Sequence, residues 1–129
     1  MDRTQINPWS WQDEFGYSQG WRVDGPTSVL FIAGQVALAP DGSLVGEGDF
    51  DAQCRQVFEN LKTVLEQAGA TFEHVVKVTV YMTDITNLQR YREIKAEFVS
   101  GPQPASTSLE VKSLAFPPLM VEVEAVAVI

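Results

Sequence analysis

The sequence predicts an α+β fold in which two helices pack on one face of a mixed sheet of about five or six strands. Three observations predict it: apolar residues recur at helical spacing over two stretches, they alternate in strand fashion over several others, and the chain order runs hairpin, helix, strand, helix, two strands. That order brings both helices to one side of the sheet and leaves the other side to be covered.

The elements follow in order. Residues 18–23 and 28–33 read as strands, separated by Asp24-Gly25-Pro26 and followed by the turn signal Pro40-Asp41-Gly42. Over residues 49–68, Phe50, Cys54, Val57, Phe58, Leu61, Val64, Leu65 and Ala68 fall on one helical face. Asp49 is placed to cap the start, Asp51 suits the positive end of the dipole, and Gly69 can end the helix. In residues 75–82, Val76, Val78, Val80 and Met82 alternate with Lys77, Thr79 and Tyr81 as in a strand with one buried face. A second helix is expected over 87–99, with Leu88, Tyr91, Ile94 and Phe98 on one face, Arg90 and Glu97 opposite, and Thr86 to Gln89 as a capping box. Strands at 107–111 and 120–128 complete the set. In the last, Val121, Val123, Ala125 and Ala127 point one way and Glu122, Glu124, Val126 and Val128 the other, so both sheet faces carry apolar groups and packing between subunits is expected.

With 129 residues and no repeat, linker or composition shift, residues 1–129 are expected to form a single domain. The 45% apolar content lacks any run approaching the ~18 residues of a membrane span. Met1-Asp2-Arg3-Thr4-Gln5 does not read as a secretory leader, so a cytoplasmic location is the expectation, with no membrane partner. A charge of −8, from 17 acidic and 9 basic residues, opposes binding to nucleic acid and would repel an anionic substrate unless a local arginine reversed the field.

Few residues carry obvious chemistry. No metal-ligand spacing, phosphate loop or dinucleotide fingerprint occurs, so no cofactor is expected. His74 reads as a surface residue, with a general base as the alternative. Cys54 reads as a buried, inert thiol on the apolar stripe. Glu122 and Glu124 share one strand face, where like charge raises at least one pKa; acid/base catalysis and salt-bridged strand carboxylates both fit. Trp9, Trp11 and Trp21 either anchor the first segment or form an aromatic wall for a flat ligand.

Five blocks, nearly end to end, resemble the RidA/YjgF family of reactive-intermediate deaminases: residues 16–19 (Gly-Tyr-Ser-Gln), 30–35 (Leu-Phe-Ile-Ala-Gly-Gln), 52–61, 75–81 and 121–127. The resemblance implies a chorismate-mutase-like (YjgF-like) fold, a homotrimer and ligand clefts at subunit interfaces. It also implies hydrolysis of enamines and imines such as 2-aminoacrylate to a keto acid and ammonia, without metal or cofactor. By position, Glu122 matches the family's water-orienting glutamate, Tyr17 the tyrosine lining the cleft and Gly34 the glycine whose backbone faces the ligand.

One departure stands out. Where deaminase-active members read Pro-Ala-Arg-Ser, this chain reads Pro104-Ala105-Ser106-Thr107, and the arginine that grips the substrate carboxylate is missing. Ser106, Thr107 and Ser108 offer hydroxyls and amides instead, Arg92 on the second helix is a candidate source of the lost charge, and the loop 100–104 looks shorter. The expected function is a metal-free hydrolase or deaminase of a small enamine- or imine-like metabolite, distinct from a standard 2-aminoacrylate deaminase. The alternative is a trimeric protein that binds a small molecule in the same cleft without turnover. The endoribonuclease label attached to part of the family suits the acidic charge least.

Overall fold

The computed structural model describes residues 1–129. Its elements are β1 (Asp2–Ile6), β2 (Gly20–Asp24), β3 (Val29–Gln35), α1 (Phe50–Gln67), β4 (Val75–Met82), α2 (Leu88–Lys95), β5 (Ala105–Glu110) and β6 (Val121–Val128). Short 3-10 helices occupy Trp11–Phe15, Phe72–His74 and Ile85–Asn87. The main sheet has the order β3-β6-β4-β5, antiparallel except for the parallel pair β4–β5. β1 and β2 form a separate antiparallel ribbon, joined to the sheet by one parallel bridge between Ser18 and Ala105. The fold class is the expected α+β, but the expected hairpin of the strands at 18–23 and 28–33 does not form: β2 pairs with β1 and β3 with β6, so the six strands divide four and two. β1 went unread because all five of its residues are exposed and show no apolar alternation.

α1 begins and ends as its sequence dictates. The Asp49 carboxylate accepts the Ala52 N–H at 3.1 Å, and Gly69, with a φ of 78°, follows its last turn. Its buried face lies in a cluster of 18 residues shared with β3, β4, β6 and α2. Gln53, fully buried on the same face, donates to the Gly46 and Pro118 carbonyls at 3.1 and 2.9 Å and accepts the Met120 N–H at 2.8 Å. Those bonds fix the chain as it enters β6, and with it the placement of Glu122.

α2 differs from expectation at both ends. The capping box does not form; Asn87 makes no side-chain cap, and Asp84 accepts the Thr86 N–H at 3.0 Å to start a 3-10 turn that runs into the helix. Past Lys95 the chain tightens, with the Glu97 and Phe98 N–H groups bonding the carbonyls of Ile94 and Lys95 three residues back, both at 2.9 Å. Phe98 still packs on the core. In β4 the register shifts between Val75 and Lys77, so Val75 rather than Val76 is buried beside Val78, Val80 and Met82.

Both helices cover one face of the main sheet. The other face is open: Phe31 on β3 is 80% exposed and Val29 47% exposed.

Candidate functional site

The open face holds the first group of candidate residues. Glu122 pairs with Tyr81 across the β4–β6 ladder, yet the Tyr81 hydroxyl donates diagonally to Glu124 Oε1 at 2.6 Å. Glu124 is thereby engaged, whereas Glu122 accepts no hydrogen bond. Burial, and after it the neighbouring Glu124, pushes the Glu122 carboxyl above its ordinary range. Gly34 sits against it: a Cβ on Gly34 would lie 2.4 Å from Glu122 Oε1 and 2.6 Å from its Cδ. Space for the Glu122 carboxylate therefore depends on the absent side chain. Thr107, paired with Thr79, is on the same face and accepts a hydrogen bond from Lys77 Nζ at 2.9 Å.

The second group lies on the opposite side of the sheet. Ser106 and Ser108 pair in parallel register with the buried Val78 and Val80, so they point toward the helices. There they line a pocket of about 190 Å³ together with Tyr17, Arg92, Phe15 and Lys95. The Arg92 guanidinium stacks 5.0 Å above the centre of the Phe15 ring. Lys95, only 6% exposed, donates to the Gly16 carbonyl at 2.5 Å. Burial, and then Arg92, pushes its ammonium down to about 8. The candidate residues thus form two groups on opposite faces of one chain: Glu122, Gly34 and Thr107 on one, Tyr17, Arg92, Ser106 and Ser108 on the other.

Sequence reasoning missed Lys95 and Phe15. Lys95 follows Tyr91 by four residues and Arg92 by three, which puts it on the buried stripe of α2 within reach of both. A lysine at that phase was the available signal.

Of the remaining candidates, His74, Cys54 and Trp21 have structural surroundings. His74 Nδ1 accepts the Thr71 N–H at 2.9 Å and closes the 3-10 turn before β4. Cys54 is fully buried, and burial pushes its thiol up to about 12. Trp21 donates its indole N–H to the Gln103 carbonyl at 2.9 Å, which suits the anchoring role, one of the two readings of these tryptophans. Trp9 and Trp11 stack with centroids 5.9 Å apart, more than half exposed, and Trp11 meets Tyr17 edge-on at 6.3 Å. No three His, Cys, Asp or Glu side chains converge as metal ligands would. No helix is long and apolar enough to cross a membrane.

Known proteins share this architecture. The family model described as Endoribonuclease L-PSP matches residues 12–129. A RutC family protein of Pyrococcus abyssi is 36% identical over 111 residues, spanning 86% of this chain and 84% of its own. Protein DfrA of Myxococcus xanthus is 37% identical over 112 residues, spanning 87% and 84%. Among solved structures, YyfB of Yersinia pestis, a Rid family protein of unknown function, superposes with a TM-score of 0.91 at 37% identity over 100% of both chains. RidA from an Antarctic Psychrobacter superposes with a TM-score of 0.74 at 33% identity over 88% of each. Fold and site define a small α+β protein of the Rid type. The chain belongs to the RidA/YjgF family.

Proposed function

We propose that the protein is a metal-free hydrolase of small enamine- or imine-like metabolites, working in clefts between the subunits of a homotrimer in the cytoplasm. Family membership supports a small-molecule role of this kind. The observation that carries the catalytic reading is Glu122: a half-buried carboxylate without a hydrogen-bond partner, beside a glycine that leaves it room, while its neighbour Glu124 is held by Tyr81.

A protonated imine carbon is already electrophilic, so the protein must mainly position and deprotonate a water. Glu122 accepts the proton as the water oxygen bonds to the imine carbon. In the neutral carbinolamine that results, the Glu122 carboxyl returns its proton to the nitrogen, the carbon–nitrogen bond breaks as ammonia leaves, and the hydroxyl gives up its proton to Glu122 as the carbonyl of the ketone forms. Tyr17 shapes the pocket, the Gly34 backbone faces the ligand, and Arg92, Ser106, Thr107 and Ser108 are its polar contacts. Because Glu122 and the Tyr17–Arg92 group face opposite ways, a complete cleft needs both surfaces, one from each of two subunits.

The test is ammonia release from imines generated in place from amino acids and from imines lacking a carboxylate. Glu122→Gln is expected to slow turnover about 100-fold or more, the usual scale for a lost general base. No turnover on any imine, or an unaffected variant, overturns the proposal. A second reading, binding without turnover, is favoured by one feature, the uncharged Ser106. It predicts that ligand is recovered unchanged from wild type and Glu122→Gln alike.

A further inference from the structure

The pocket behind β5 contains an electrostatic imbalance that the fold does not explain. The chain carries 17 acidic and 9 basic residues, so its cations have carboxylates in excess to pair with. Of its five arginines, Arg22, Arg55 and Arg90 form salt bridges and Arg3 donates to the Glu73 carbonyl. Arg92 alone has neither a salt bridge nor a hydrogen bond, and it is held over Phe15 by its stacking contact. One helical turn on, Lys95 is buried with a single acceptor, the Gly16 carbonyl. An ammonium has three donors, and a buried cation without a counter-charge is costly. Two adjacent unpaired cations, with the hydroxyls of Ser106 and Ser108 opposite them, complement a small anion. The cavity of about 190 Å³ admits a small acid and is below the ~300 Å³ typical of larger ligands, and Phe15 and Leu88 give it an apolar wall for a carbon body.

We propose that Arg92 and Lys95 form a two-cation site for the carboxylate of a small organic acid, with Lys95 as its specificity-determining residue. The charge absent at position 106 of β5 is supplied from α2. The proposal rests on the reading of this cleft as a ligand site, and it restores carboxylate substrates to a chain whose overall charge opposes them.

A bound carboxylate also changes the protonation of Lys95. The titratable and charged groups around it are Tyr91, Arg92 and Glu93 on α2, Tyr17 before β2, and Asp13 and Glu14 on the first 3-10 turn. None of these carboxylates forms a salt bridge with it, and the resting ammonium, at about 8, is partly neutral in mild alkali. An anion favours the charged form, so binding above neutrality takes up a proton, and affinity falls as pH rises from 7 to 9.

Calorimetric titration of the 129-residue chain with 2-oxobutyrate, its neutral amide and inorganic phosphate, in buffers of different ionisation enthalpy, tests this. The acid is expected to bind and the amide at least tenfold more weakly. Arg92→Ala and Lys95→Met should each lose about tenfold or more in affinity, as for a hydrogen bond to a charged group. Lys95→Arg should keep the affinity while abolishing proton uptake and flattening the pH profile; it stands in for Lys95→Met should that variant fail to fold. Equal binding of acid and amide, tighter binding of phosphate, or unchanged affinity in Arg92→Ala overturns the site. Glu122→Gln separates this outcome from the hydrolase reading, because that variant should lose turnover and still bind 2-oxobutyrate. Hydrolysis of carboxylate-free imines without 2-oxobutyrate binding overturns the two-cation site alone.

Discussion

Gly34 is the residue where absence of a side chain has the clearest consequence. Its φ does not require glycine; the requirement is contact, since a Cβ would fall 2.4 Å from Glu122 Oε1 and the carboxylate would have to swing away. Glu122 Cγ would also be met, at 2.8 Å, so the whole side chain must take another rotamer, a cost that the ~0.5–1 kcal/mol advantage of alanine over glycine in a strand offsets only in part. Gly34→Ala should therefore melt at or slightly below the wild-type temperature while imine turnover falls about tenfold or more, measured by thermal unfolding and ammonia release on the same preparation. Glu122 adds a pH signature. Because the fold raises its pKa, the protonated form is the one the folded state favours. The stability it contributes is complete below its unfolded pKa of about 4.3 and is lost as pH rises through the folded value. Glu122→Gln should thus match wild type in acid and exceed it at neutral pH, as read by melting temperatures across a pH series.

At the scale of elements, α2 carries the cationic pocket, and its outer side is tied to α1 by ion pairs. Arg90 reaches Asp51 at 2.7 Å and Glu93 at 2.8 Å, and Arg55 reaches Glu97 at 2.8 Å. These side chains are 39 to 50% exposed, so water and salt screen them. Arg90→Ala should lower the denaturant midpoint only slightly, with most of the difference gone in 1 M salt, because exposed pairs have modest worth and are screened. The elements also show what a sequence can disclose. α1 was legible because its stripe, its Asp49 cap and its Gly69 stop agree. The start of α2 was not, because Asp84 and Thr86 are both competent caps and only tertiary packing chooses between them. Lys95 escaped notice because a lysine at a buried helical phase is read as surface unless the pocket it enters is known. The facing of Ser106 and Thr107 was equally hidden, since it depends on the parallel register between β4 and β5, which neither strand's own pattern encodes.

For the whole molecule, the open sheet face decides whether the two groups of site residues ever act together. One chain holds Glu122 and Arg92 on opposite sides of a sheet, and no loop movement brings them to one ligand. A second subunit laid against the open face can present its β5–α2 edge to the Glu122 of the first. Phe31, 80% exposed beside a hollow of about 390 Å³ that also takes in Ala33, Thr79 and Val126, is the apolar contact available for that union. Burying one such side chain is worth about 1.5–3 kcal/mol, and a closed ring of three repeats that gain at every interface. Wild type should therefore sediment at about three times the 14.3 kDa chain mass. Phe31→Asp should sediment as monomer, because it places a carboxylate beside Glu124 in every interface. Its far-ultraviolet dichroism should be unchanged, since Phe31 is not part of the helix-side core. If the proposed mechanism holds, imine turnover should disappear with the trimer, because Glu122 and the pocket lined by Tyr17 and Arg92 are then on separate molecules. An active Phe31→Asp monomer would show that one chain suffices, and the shared cleft would have to be abandoned.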